Sequence, residues 1–142
     1  MRRQITGLRA ADRCAPDQIP DGIFLVRVQK VGFRRQAQKP YYTVGLIILE
    51  PNRFAGHTIS SRIYCNPRAL WKLNWFLRDF GYDAELLERD EVDEKQLVGL
   101  RGVVKISRIL FNGNSLLRFD GFAPADRWDD LSPANLDNPQ VA

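Results

Sequence analysis

Hydrophobic and polar residues alternate in five short stretches of the chain, the period-two pattern that half-buried β-strands produce. In the first stretch, IFLVRVQKV, the side chains of Phe24, Val26 and Val28 share one face. Arg27 and Gln29 share the other face. The remaining stretches are YYTVGLIILE, TISSRIYC, RGVVKISRIL and LLRFDGFAP. The sequence therefore predicts a mainly β domain with five strands.

The segment between the third and fourth stretches changes to the three- and four-residue spacing of an amphipathic helix. Asn66 and Pro67 are typical of an N-cap and a first helical position, and Gly81 is typical of a helix end. The predicted apolar face consists of Leu70, Leu73, Leu77 and Phe80. We therefore expect one helix that begins at Asn66-Pro67 and ends at Gly81.

Glycines mark two further features. Gly45 lies in the middle of the second stretch and indicates a bulge or a sharp bend, which a small closed barrel requires. Asn112-Gly113 separates the last two stretches and predicts a tight hairpin turn. The connection over residues 82–101 is polar and acidic, with room for one short helix.

The resulting order, three strands, a helix and two strands, is that of the five-stranded OB barrel. Another small barrel, or an open sheet capped by a helix, would have the same order. We expect an OB-fold domain over residues 21–123, with the helix between strands 3 and 4. A flexible arm with little regular structure precedes it at residues 1–20, and an acidic, flexible tail follows at residues 124–142.

Charge is distributed unevenly around the net value of +4. Residues 83–94 carry seven acidic side chains, and residues 124–142 carry four more. The rest of the chain is strongly basic, which indicates a polyanionic partner or, alternatively, a basic surface that is merely solvated. The acidic tail is either solvated, or it competes with a polyanion for the basic surface or recruits partner proteins.

The composition also excludes several classes of protein. No apolar run is long enough to span a bilayer, and no apolar stretch follows the early arginines, so we expect a cytoplasmic protein without a membrane anchor. Cys14 and Cys65 lie far apart without metal-binding spacing, which predicts two reduced thiols, although a disulfide between them stays open. His57 is the only histidine, so we predict no metal site.

Enzyme signatures are absent from the sequence. There is no nucleophile elbow, phosphate-binding loop or dinucleotide fingerprint, and the carboxylates concentrate outside the predicted strands. We therefore predict no catalytic residues and no cofactor. Arg34-Arg35 before a barrel leaves open a domain that binds a small anionic ligand, but HTISSR lacks the motif that cyclic-dinucleotide receptors of the PilZ kind require. A structural or assembly protein, which includes an oligomeric interaction module on a small barrel, also stays open.

Three segments carry a resemblance to a known family. DGIFLVRVQKV, YYTVGLIILEPNRFAGHTISSRIYCNPRALWKLNWFLRDFG and LVGLRGVVKI resemble a family of phage and prophage proteins that are regarded as single-stranded-DNA-binding proteins. The resemblance covers roughly residues 21–123 and implies an OB fold and strand binding in replication or recombination. The chain departs from the family at the second turn, where Pro51-Asn52-Arg53-Phe54 replaces the acid and glycine that often precede the aromatic residue. The residues do not distinguish DNA from RNA.

Binding a single strand without sequence specificity requires a positive groove for phosphates and aromatic faces for bases. OB folds usually place these on the outer face of strands 2 and 3 and on the hairpin loops. Basic and aromatic residues interleave at these positions in the chain. The predicted contacts are Arg27, Arg34, Arg35, Lys39, Tyr41, Arg53, Phe54, Arg62, Tyr64, Arg108, Phe111 and Arg118.

Some of these aromatic residues have a second interpretation. Tyr41 and Tyr42 are adjacent, so one faces the core and the other, which we expect to be Tyr41, stacks on a base. Phe54 is either a base platform or a turn residue that packs onto the barrel. Trp71 and Trp75 lie one helical turn apart beside the apolar face, where they either widen the buried surface or form an oligomer contact.

Overall fold

A computed structural model describes residues 2–4, 19–36 and 39–132 of the chain. Its five strands form one antiparallel sheet in the order β3-β2-β1-β4-β5, so the predicted mainly β architecture with five strands is confirmed. The sheet is open, and β3 and β5 form its edges. The strands are β1 (Gly22–Arg34), β2 (Tyr41–Glu50), β3 (Thr58–Tyr64), β4 (Arg101–Phe111) and β5 (Asn114–Pro124).

The inner face of the sheet and one helix enclose the main core. The predicted inward residues of β2, Val44, Leu46 and Ile48, are buried, as are those of β1. At the open side of the sheet, the hydroxyl of Ser61 in β3 donates a hydrogen bond to the carbonyl of Leu117 in β5 at 2.9 Å. The two edge strands therefore approach each other although they share no ladder.

The helix α1 (Leu70–Asp79) begins later than the sequence pattern predicts. Asn66 is not its N-cap, because the Asn66 carbonyl instead accepts the Ala69 N–H in a preceding turn, at 2.8 Å. At the other end, Gly81 has a φ of 81°, and the Tyr82 N–H donates to the Leu77 carbonyl at 2.9 Å. This is the Schellman arrangement in which glycine is preferred, so the prediction of a glycine-terminated helix is confirmed.

The apolar face of α1 also differs from the prediction at one position. Leu73, Leu77 and Phe80 are buried as expected, but Leu70 is exposed, and Phe76 is fully buried instead. The helix approaches the sheet closely where the strands carry glycine. A side chain at Gly102 would collide with the Phe80 ring, and a Cβ at Gly121 would lie 2.9 Å from the Trp75 ring.

The acidic connection contains two short helices, α2 (Ala84–Glu88) and α3 (Glu94–Leu97), where the sequence predicts one at most. Three helices rather than the predicted one therefore lie between β3 and β4. An aspartate of the connection caps the N-terminus of each of the two short helices. The Asp83 carboxylate accepts the N–H of Glu85, and the Asp93 carboxylate accepts the N–H of Lys95. Asp and Asn are favoured at this position because the first N–H groups of a helix lack backbone partners. None of the helices in the described residues is long and apolar enough to cross a membrane.

An irregularity in β1 changes which side chains face outward. The pairing of β1 with β2 shifts between Val28 and Lys30, opposite Leu46 and Gly45. The bulge that Gly45 predicts is therefore present, but its extra residue, Gln29, lies in the partner strand. Because one extra residue reverses the alternation, Lys30 points to the outer face together with Arg27.

The two ends of the chain were predicted to be a flexible arm and a flexible tail. Ile19, at the end of the predicted arm, is buried in the main core. After β5 the chain forms a 3-10 turn (Ala125–Arg127) and the short helix α4 (Trp128–Leu131), where Trp128 packs against Leu25 and Val103. The start of the predicted tail is thus packed on the sheet. Residues 5–18 and 133–142, which include Cys14, lie outside the described residues.

Candidate nucleic-acid interface

The outer face of the sheet is cationic across β1 and β3 and at the start of β4. Antiparallel partners share a face, so the register gives the neighbours of each side chain. Arg27 lies directly opposite Arg101 of β4, and Lys30 lies opposite Gly45. These cations are exposed. We call the following set the cationic face: Arg27, Lys30, Arg34, Arg62 and Arg101.

The β2 residues between these cations are uncharged. Thr43 pairs with Arg62 of β3, and Tyr41 pairs with both Arg34 and Tyr64. No member of the cationic face forms an ion pair with another of the described residues. Arg27 and Arg101 therefore stand opposite each other as like charges, an arrangement that is destabilising unless an anion compensates it.

Tyr41, Arg62 and Tyr64 form a compact cluster at one end of this face. The Arg62 guanidinium lies 4.3 Å from the centroid of the Tyr41 ring, and the Tyr41 and Tyr64 rings are 5.6 Å apart. A hydrogen bond with the Tyr64 side chain raises the pKa of Arg62 above its ordinary value, so this guanidinium stays charged at any working pH. Tyr64 is half-buried, which leaves part of its ring accessible.

The prediction that Tyr41 is an open stacking platform is wrong. Only 6% of Tyr41 is exposed, because Arg62 and Tyr64 cover its ring. Tyr42 is also buried, and its ring packs 4.9 Å from that of Phe33. Burial, followed by the charge of Glu94, raises the pKa of Tyr42 to about 12. Neither of the adjacent tyrosines therefore stacks on a ligand in this conformation.

Phe54 also lies in the core rather than on the surface. It is 7% exposed, and its ring meets that of Phe24 edge-on with centroids 5.7 Å apart. The interpretation of Phe54 as a turn residue packed on the sheet is therefore correct, and its assignment as a base platform is wrong. Arg53 remains exposed, with its guanidinium 5.4 Å from the Phe54 ring. In the first loop, the predicted contacts Arg35 and Lys39 are exposed as well.

The three predicted contacts on the β4–β5 hairpin have different environments. Arg108 is half-buried and donates from Nε to the carbonyl of Ile19 at 3.3 Å, so it faces the segment before β1 rather than an open groove. Arg118 is paired with the Asp120 carboxylate at 2.7 Å. Phe111 is exposed beside the turn formed by Asn112-Gly113, whose two positive φ angles confirm the predicted tight turn.

Two members of the cationic face are missing from the residues predicted as contacts. Lys30 follows Val28 by two residues, so strict alternation assigns it to the core face, and only the bulge turns it outward. Arg101 is the first residue of β4, and its position opposite Arg27 depends on the register of a strand about seventy residues further along the chain. The signal that would have included Lys30 is Gly45, whose bulge the sequence already indicated.

The two tryptophans of α1 have different environments. Trp75 is half-buried, its ring meets Phe122 edge-on at 5.7 Å, and its Nε1 donates to Asp79 at 2.9 Å. Trp71 is 63% exposed and stacks on Trp75 with an interplanar angle of 27°. Trp75 therefore widens the buried face, whereas Trp71 does not.

Other chemistry has little support in the described residues. No group of three His, Cys, Asp or Glu side chains there is placed to hold a metal ion. Cys65 is a half-buried free thiol whose pKa is raised by burial, which makes it a weaker nucleophile at neutral pH. No protein-family model matches the chain, and no curated protein matches it either.

Proposed function

We propose that the chain binds single-stranded nucleic acid, DNA above all, through the cationic face and without sequence specificity. One observation carries this proposal: Arg27 and Arg101 are held directly opposite each other, and neither forms an ion pair with another of the residues that the structure describes. Folding alone does not favour such an arrangement, since like charges across a ladder repel. A polyanion lying over both would remove the repulsion and gain charge-assisted contacts.

The fold that we propose for this function is the OB barrel. Its support is the strand order, in which β1 pairs with β2 on one side and β4 on the other. The hydrogen bond from Ser61 to Leu117 joins the two edges where a barrel would close. The helix α1 lies between β3 and β4 along the chain, as OB domains have it.

The chemistry of binding follows from the side chains. Phosphates would lie along the cationic face, where exposed guanidinium groups offer paired donors. Unpaired bases would reach aromatic surface at Tyr64 on β3 and at Phe111 on the hairpin. A duplex keeps its bases stacked and paired, so only a single strand can use these rings. Because stacking is available to every base, this arrangement predicts little sequence preference.

The proposal agrees with the phage and prophage family that the sequence resembles. Proteins that coat single strands protect them during replication and recombination, and neither activity requires catalytic residues or a cofactor. The proposed role of this chain is the same.

The test is a binding titration against fluorescent oligo-dT of about 30 nucleotides, longer than the roughly 4–16 nucleotides that one OB fold occupies. A matching duplex and oligo-U are measured alongside, at low and moderate salt. We expect tight, salt-sensitive binding to the single strand and weak binding to the duplex. The Arg27→Gln/Arg62→Gln double variant should lose affinity, whereas Arg89→Gln, which removes an exposed arginine from the acidic connection, should not.

Two outcomes would contradict the proposal. Absence of oligonucleotide binding at low salt would favour a structural or assembly role. Equal binding to a short oligonucleotide and to a mononucleotide competitor would favour a site for a small anionic ligand.

A further inference from the structure

The exposed face of α1 carries a second aromatic surface, on a helix rather than on the strands that form the cationic face. Trp71 is 63% exposed, and its ring is stacked on Trp75 with centroids 6.2 Å apart. Trp75 is in turn fixed by its hydrogen bond to Asp79 and by its contacts with Phe122 and Gly121. The outer indole therefore rests on a rigid support, so little side-chain entropy is lost when a flat ligand stacks on it.

The surroundings of this ring form an open concavity. It has a volume of about 360 Å³ and is lined by Trp71, Asn74, Trp75, Arg78 and Asp79. Asn74 and Arg78 are exposed and offer an amide and a guanidinium beside the ring. The Asp79 carboxylate is the one acidic group in the lining, and it already accepts the Trp75 Nε1 hydrogen at 2.9 Å. A flat ring that carries hydrogen-bonding edges and a nearby negative charge matches this set of groups.

We propose that Trp71 is a second stacking site for a base of the same single strand that the cationic face binds. The indole would stack on the base, Asn74 would meet a base edge, and Arg78 would meet a phosphate. This inference rests on the proposed function and extends it from the strands to the helix α1. It predicts that a bound strand continues from the sheet around β3 to α1.

The chain offers a route for such a strand. Arg62 and Tyr64 lie on β3, which is an edge of the sheet, and the exposed Arg68 lies in the turn that leads from β3 to α1. Basic and aromatic side chains therefore follow one another from the edge strand to Trp71. Arg78 continues this order at the far end of the helix.

Charge also argues against a second copy of the chain as the occupant. Arg78 lines the concavity beside Trp71, and the exposed Arg68 lies in the turn that precedes α1. A two-fold contact through this helix would bring the same arginines of each copy together. Like charges across an interface oppose association, whereas a polyanion is attracted by them.

The test compares oligo-dT lengths from about 8 to about 30 nucleotides, a series that spans the site size of one OB fold. Oligonucleotide is kept in excess so that each strand carries one protein. For the wild-type chain we expect affinity to rise with length once the strand reaches α1. Trp71→Ala should bind the shortest oligonucleotide as the wild type does, but should lose roughly fivefold or more in affinity for the longer ones.

Matched variants separate stacking from other effects. Leu70→Ala removes a neighbouring exposed apolar side chain that does not line the concavity, so it should bind every length normally. Trp71→Phe keeps an aromatic face and should recover most of the affinity. Binding of the long oligonucleotide should also quench tryptophan fluorescence in the wild type and much less in Trp71→Ala.

The outcomes distinguish the two proposals. If wild-type protein binds oligonucleotides but Trp71→Ala keeps full affinity at every length, the second site is refuted and the proposed function stands. If Trp71→Ala instead abolishes a dimer in sedimentation velocity while it leaves DNA affinity unchanged, the occupant is a second copy, and the second site is again refuted. If wild-type protein binds no oligonucleotide of any length, both proposals fail.

Discussion

The outer face of the sheet contains two regions, one covered by the segment that follows β5 and the other exposed to solvent. In the covered region, Leu25 of β1 and Val103 of β4 are buried beneath Trp128. In the cationic face, a few residues further along the same strand β1, arginines and lysine stay open to solvent. Both regions belong to one sheet and share two strands, so the difference follows from which side chains point outward.

The difference shows how the outer side chains determine which part of a sheet is left open. Exposure of an apolar outward residue such as Leu25 to water costs free energy, so the segment after β5 folds back and covers these residues with an indole. Cationic outward residues are well solvated and need no cover, and solvent and salt screen the repulsion between them. We therefore expect the covered region to govern stability and the cationic face to govern binding.

The largest expected effect comes from Trp128→Ala. Trp128 is 8% exposed and is the main cover of Leu25 and Val103, so its removal should lower the free energy of unfolding by about 3 kcal/mol. Urea denaturation followed by circular dichroism measures this loss. Trp128→Phe, which retains an aromatic cover, should lose less than half as much.

The same variant tests the separation of the two regions. At a temperature where Trp128→Ala remains folded, its affinity for oligo-dT should equal that of the wild type. A large loss of affinity in the folded variant would mean that the two regions are coupled, and the comparison would fail.

The second-largest effect is expected in binding affinity, when arginines are removed from the cationic face. The Arg27→Gln/Arg62→Gln/Arg101→Gln variant should reduce the dependence of log affinity on log salt by about 2, since each phosphate contact on a single strand contributes about 0.7. Titrations of oligo-dT at four salt concentrations measure this slope.

Arg27→Gln alone should leave stability unchanged or raise it by a few tenths of a kcal/mol, because it removes the like-charge pair with Arg101. A fall in stability would contradict this account of the pair.

The strands and the helix could be predicted because their signals are local. Alternation assigns Val44, Leu46 and Ile48 to one face whatever the partner strand is, and the structure buries all three. Gly81 ends α1 because a positive φ at that point favours glycine. The start of α1 was misplaced, since Asn66-Pro67 also suits the turn that precedes the helix.

The candidate site was harder to predict because it depends on register and on covering groups. The position of Arg101 opposite Arg27 follows only from the pairing of β1 with β4. Burial of Tyr41 requires Arg62 to lie across its ring, which no periodic pattern encodes. The packing of Trp128 was missed because the acidic residues around it dominate the composition of that segment.

At the end of the cationic face, the two tyrosines that cluster with Arg62, Tyr64 and Tyr41, should respond differently to substitution. Tyr64→Ala should weaken oligo-dT binding by about 1 kcal/mol or more, the usual contribution of one stacked base. Tyr41→Phe keeps the ring beneath Arg62 and removes only a hydroxyl, so it should change affinity very little. Fluorescence anisotropy on both variants, with thermal melts as a check of folding, measures the contrast. If Tyr41→Phe and Tyr64→Ala weakened binding equally, Tyr41 would be a ligand contact after all.

The smallest expected effect concerns Asp120, whose carboxylate pairs with Arg118. Burial alone would raise the pKa of Asp120, but the Ser107 hydroxyl, the hydrogen bond and charge of Arg118 and the charge of Lys72 together outweigh it, and the pKa lies below its ordinary value. A carboxyl with a lowered folded-state pKa stabilises the protein above its unfolded-state pKa of about 4, and this contribution disappears as pH falls through the folded-state value. Asp120→Asn should therefore cost less than about 1 kcal/mol at pH 7, since Arg118 is half exposed and solvent screens the pair. The difference from wild type should shrink as the pH of the urea denaturation is lowered from 5 towards about 3. A difference that stayed constant with pH would assign the role of Asp120 to packing rather than to its charge.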